Sequence, residues 1–127
     1  MTREEKDLLL KDLCARLPYG VKCYISEAND TSILSAVLED GENTLFNFWE
    51  DNRKIVYGAQ LYISEFKPYL FPLSSMTEEQ EKEWLYTLSS DGNITYDTVD
   101  WCNKNNFDYR GLIPMGLAID ATGKNIY

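Results

Sequence analysis

The chain has 127 residues, 44% of them hydrophobic, with 21 acidic against 12 basic side chains and a formal charge of −9. A chain of this length reads as one domain, residues 1–127, that buries roughly two-thirds of its unfolded surface. Three Trp, nine Tyr and five Phe supply the bulk of a real core, which excludes wholesale disorder despite the charge. No apolar run approaches the ~18 residues a membrane span needs, and Met1 to Asp7 has no signal-peptide character, so the expectation is a cytoplasmic protein without membrane contact.

The charge distribution argues against direct nucleic-acid binding, which relies on Lys and Arg neutralising phosphates. Residues 39–51 carry five acids and no base, and residues 78–100 carry seven acids and only Lys82. Such acidity suits a solubilising surface, a basic partner, or a surface that imitates DNA. There is no histidine, and the three cysteines, Cys14, Cys23 and Cys102, lack C-x-x-C spacing. Serine–histidine and cysteine–histidine catalysis are thereby excluded, a zinc set cannot be completed, and the expectation is no cofactor and no metal. Any chemistry would have to run on carboxylates, Lys, Tyr or Cys.

In chain order, Thr2-Arg3-Glu4-Glu5 is a capping box, and Leu10, Leu13, Cys14 and Leu17, with Leu9 widening the stripe, mark the buried face of the helix it opens. Arg16 suits the last turn of that helix, which Pro18 and Gly20 stop. Val21–Ile25, Ile33–Leu38 and Thr44–Trp49 alternate as strands, with Asp40-Gly41-Glu42-Asn43 as a hairpin turn. Lys54–Tyr57 and Gln60–Phe66 predict a fourth and a fifth strand, with Gly58 as a bulge. Lys67–Leu73 is extended because of its two prolines. Thr77 or Ser75 caps a helix whose inner stripe is Trp84, Leu85 and Leu88, and Asp97 caps a short helix with Val99 and Cys102 inward. Breakers Gly111, Pro114, Gly116 and Gly123 make the end an irregular wrap. The predicted fold is α+β: an N-terminal helix, a four- to five-stranded antiparallel meander curled into a small SH3-like or open barrel, two further helices and a tail.

Three stretches carry a resemblance. Leu8 to Val21, Lys67 to Gln80, and Trp101 to Ala121 with its Phe107-Asp108-Tyr109-Arg110-Gly111 motif resemble an uncharacterised family of small proteins from gut Bacteroidales, their mobile elements and phages. The resemblance covers most of the chain and implies no activity. Members often carry His before the Phe of that motif, where this chain has Asn106. The association with phages also suggests an acidic inhibitor of a host DNA-binding protein.

Two clusters are candidate interaction residues. Arg110, flanked by Asp108 and Tyr109, could hold a carboxylate or phosphate, or could pair with Asp108 to anchor the tail. Phe46 and Phe48 share one face of their strand and Trp49 takes the other, so helices on one face alone would leave an aromatic patch rimmed by acids. Glu78, Glu79, Glu81 and Glu83 read as a solvated helix start, since adjacent helical residues diverge. Gly116 to Lys124 and Ser64 to Lys67 only superficially match a phosphate loop and a Ser-x-x-Lys site. The leading reading is a non-catalytic protein-interaction module with an unidentified protein partner, a homodimer being one version. A DNA mimic and a small carboxylate-dependent enzyme are the alternatives.

Overall fold

The structure is a computed structural model that describes residues 1–41, 43–49 and 60–127, the side chain of Asp40 aside. It is α+β. Helix α1 (Arg3–Arg16) is followed by strands β1 (Lys22–Ile25), β2 (Asp30–Asp40), β3 (Asn43–Trp49) and β4 (Phe66–Pro72), helices α2 (Glu78–Thr87) and α3 (Tyr96–Lys104), and short strands β5 (Phe107–Asp108) and β6 (Ile119–Asp120).

The Thr2 hydroxyl accepts from the Glu5 amide while the Glu5 carboxylate accepts from the Thr2 amide, closing the capping box of α1. That hydrogen bond to Thr2 holds the Glu5 carboxyl below its usual range. The buried stripe matches the expected one in part: Leu9 and Leu13 face inward, joined by Asp12 and Arg16, whereas Cys14 is exposed and Leu10 and Leu17 are half-buried. Both stripes have helical spacing, and the buried one includes an ion pair that apolar periodicity cannot find.

β1, β2 and β3 form the predicted antiparallel meander through short turns. Within it, Leu34 lies opposite Phe48 and Val37 opposite Phe46. Two core residues three apart thus oppose two that are two apart, and the extra residue is a bulge that returns Val37 to the core face.

β4 departs from the expectation. Its connection from β3 is long enough to cross the sheet, so it pairs antiparallel with β1, giving the order β3-β2-β1-β4-β5. β5 and β6 then join β4 in parallel, so among the described residues the sheet has six strands, is mixed and closes no barrel. The peptide between Leu70 and Phe71 serves both additions: the Phe71 amide donates to the Asn106 carbonyl at 2.8 Å and the Leu70 carbonyl accepts from the Ala121 amide at 2.8 Å. A trans peptide aims those groups oppositely, which places β5 and β6 on opposite edges. The strand expected at Gln60–Phe66 begins only at Phe66, and the preceding residues contribute one bridge, Leu61 to Phe46. The strand expected at Lys54–Tyr57 and the bulge at Gly58 lie outside the described residues.

The core lies between one sheet face and a cover of α1 and the tail. Leu9, Leu13, Leu112, Leu117 and Ala118 pack there against Cys23, Leu34, Phe46, Phe48, Phe66 and Leu70. Phe66 meets Phe46 and Phe48 edge-on, with centroids 5.0 and 4.9 Å away. A second aromatic run crosses β4: Trp101 stacks on Phe107, which meets Phe71, which meets Tyr127. The Tyr127 hydroxyl bridges two strands, accepting from the Lys22 amide at 2.9 Å and donating to the Tyr69 carbonyl at 2.8 Å.

Candidate interaction surface

The predicted candidates divide among three places. Phe46 and Phe48, 0% and 1% exposed, belong to the core and have no surface to offer, because their face is the covered one. Trp49, on the opposite face, is half-buried in a groove of about 580 Å³ with Tyr19, Lys22 and Ile33.

Asp108, Tyr109 and Arg110 come together, but not as expected. Asp108 is buried, and its carboxylate accepts from the Leu112 and Ile113 amides, both at 2.9 Å, so it closes the turn that starts the tail. The Arg110 Nε instead donates to Asp12 Oδ1 at 3.2 Å, and its Nη2 donates to the Tyr109 hydroxyl at 3.1 Å. Arg16, wholly buried, donates through Nε and Nη2 to both Asp12 oxygens at 2.8 and 3.2 Å, and reaches the carbonyls of Phe107 and Cys102. The two guanidinium carbons lie 5.4 and 4.9 Å from the Tyr109 ring centroid. The Asp12–Arg16 pair therefore joins α1 to α3 and β5 through Arg16 and to the tail through Asp12, and the two cations fix the Tyr109 ring.

That ring helps line an apolar hollow of about 30 Å³ with Leu73, Trp84, Ile94, Val99 and Cys102. A shallower groove of about 260 Å³ adjoins it, sharing Leu73 and Trp84 and adding Met76 and Glu81. Both are walled in part by the α2–α3 hairpin, the surface that sequence reasoning missed. α2 has no buried residue: Trp84 and Leu88 are half-buried, while Leu85, placed in the inner stripe by its spacing, is 53% exposed. Tyr86, Ile94 and Tyr96 are 91%, 66% and 92% exposed, so with Leu85 the hairpin shows solvent four large apolar side chains.

The hairpin is held rigidly. Thr77 and Gln80 close a capping box on α2, and α3 is capped by Thr95 with Thr98, not by Asp97 as expected. Thr95 is favoured because its hydroxyl also donates to the Thr87 carbonyl at 2.7 Å, while the Thr98 hydroxyl packs against that of Thr87 at 3.0 Å. In the loop, the Ser89 amide donates to the Asn93 carbonyl and the Gly92 amide to the Ser89 carbonyl, both at 2.9 Å.

Around this surface stand exposed carboxylates. Glu81 precedes Leu85 by four residues, Glu83 precedes Tyr86 by three, and Asp100 follows Tyr96 by four, spacings that put each pair on one helix face. Glu78, Glu79, Asp91 and Asp97 are also exposed, and Lys82 is the sole base between residues 78 and 100.

Elsewhere among the described residues, groups with shifted ionisation are the carboxylates of Glu5 and Asp120, the three thiols and Tyr127. Among the described residues no group of three or more acidic or thiol side chains is placed to hold a metal, and no helix is long and apolar enough to cross a membrane. No protein-family model, curated protein or solved structure matches this chain.

Proposed function

We propose that the domain is a non-catalytic protein-interaction module that meets its partner through the α2–α3 hairpin. The observation that carries this reading is the exposure of Leu85, Tyr86, Ile94 and Tyr96 on a hairpin already braced by its own hydrogen bonds. Tyrosine with aliphatic neighbours is the composition of interface centres, and a rigid presenting element lowers the ordering cost of association. The partner is a protein, with no direct nucleic-acid or membrane contact in this reading. The test is affinity capture with wild type beside a variant carrying Leu85→Ser, Tyr86→Ser, Ile94→Ser and Tyr96→Ser. The module reading expects the variant to stay folded and to lose the captured protein; capture unchanged by the four substitutions contradicts it.

A second reading, mimicry of DNA by the acidic surface, draws on the seven exposed carboxylates between residues 78 and 100. It expects neutralisation of those carboxylates to abolish capture of a nucleic-acid-binding protein while the serine variant still captures it.

A further inference from the structure

The chemistry of the hairpin narrows the kind of partner, and this step rests on the hairpin being the contact surface. We infer that it takes a basic amphipathic helix of a different protein, with an aliphatic side chain over the hollow between Leu73, Trp84 and Ile94. Lysine or arginine side chains of that helix then face Glu78 and Glu81, which share one face of α2 with Leu85, Glu81 also lining the groove.

Three observations support this occupant. First, the apolar surface is not flat: the small hollow and the roomier groove share the walls Leu73 and Trp84, so the methyl end of one anchor side chain can enter while its neighbours lie along α2. α2 spans ten residues, about 15 Å, which matches anchors at i, i+3 or i+4, and i+7 of an incoming helix.

Second, charge decides against a second copy of this chain. A two-fold interface sets the same patch against itself, so exposed carboxylates of one hairpin would meet those of the other. Like charges brought together during desolvation oppose association, whereas a basic helix converts the same carboxylates into favourable pairs.

Third, the hollow is preorganised from beneath. Tyr109, held by Arg16 and Arg110, and Cys102, 2% exposed, give it a floor that need not rearrange on binding.

The test uses the full chain and a fluorescein-labelled peptide of leucine and lysine, about four helical turns long, with leucines at helical amphipathic spacing. Two controls share its length: one with the same residues in non-periodic order, one with glutamate replacing lysine. The periodic Leu–Lys peptide is expected to bind about tenfold tighter than either control, and to lose about tenfold in affinity with Leu85→Ser plus Ile94→Ser. A comparable loss is expected with Glu78→Gln plus Glu81→Gln, whereas Glu4→Gln with Asp7→Asn on α1 leaves binding unchanged. Thermal melting of each variant shows that it is folded. Equal binding of the periodic and non-periodic peptides, or binding indifferent to the hairpin substitutions, overturns the inference. Capture that depends on the hairpin, together with failure of the Leu–Lys peptide, overturns this inference and leaves the module reading standing. Capture that ignores the hairpin removes both.

Discussion

Arg16 and Asp12, one helical turn apart on α1, are both completely buried and share two hydrogen bonds, 2.8 and 3.2 Å long. The pair spends its remaining capacity outside the helix, Arg16 on the carbonyls of Phe107 and Cys102, Asp12 on Arg110. It is a joint between the N-terminal helix and the last third of the chain.

Truncating either member strands a buried charge. Asp12→Ala and Arg16→Ala are each expected to cost about 3–5 kcal/mol in urea unfolding. Arg110→Ala costs less, about 1–2 kcal/mol, because its side chain is 17% exposed and water replaces part of what is lost.

The Tyr127 hydroxyl predicts sensitivity to base. Burial pushes its ionisation above the ordinary value of 10, burial likewise raises Cys23, and burial raises Cys102 to about 11 against the opposing pull of Arg16. All three folded values exceed the unfolded ones. Their stabilisation is therefore complete below about pH 8, and is lost as pH rises through the unfolded thiol and phenol values towards the folded ones. Unfolding free energy should fall from pH 9 to pH 11, and Tyr127→Phe should flatten that fall while costing about 1–2 kcal/mol at neutral pH.

The thiols should separate by access. Cys14 is exposed while Cys23 and Cys102 are 0% and 2% exposed. A thiol reagent at neutral pH should modify Cys14 alone in the native protein and all three in denaturant. Partial desolvation and the nearby Glu39 carboxylate raise Cys14 as well, so its reaction should be slower than that of free cysteine.

Asp108 closes the turn into the tail. Asp108→Ala orphans the Leu112 and Ile113 amides and is expected to cost about 2–4 kcal/mol, with Asp108→Asn recovering part by keeping one acceptor oxygen. Thermal melting of the two variants measures the difference.

The sequence disclosed what is local. The capping box at Thr2, the three-strand meander and the positions of α2 and α3 follow from side chains a few residues apart. The bulge in β2 was hidden because a single residue shifts its face only in relation to β3. β4 was misplaced because its prolines suppress the alternation that marks a strand, although the strand hydrogen-bonds around them. The candidate site divided the same way. Phe46, Phe48 and Trp49 were correctly given opposite faces, yet only tertiary packing decides which face α1 and the tail cover. Leu85 had the spacing of a core residue and turned out to face solvent, because α2 rests on the domain through Trp84, Thr87 and Leu88. Arg16 was legible only as a basic residue in the last turn of α1, Asp12 gave no signal, and nothing nearby in sequence announces Arg110 as their third member.

The contact surface is most directly located by scanning a photo-crosslinking amino acid through exposed positions in cells that express the protein. Adducts with one discrete protein at positions 85, 86, 94 and 96, and none at position 4 of α1 or at the turn position 123, are the predicted result. Adducts that arise equally from α1 and the turn, or that avoid the hairpin, would contradict it.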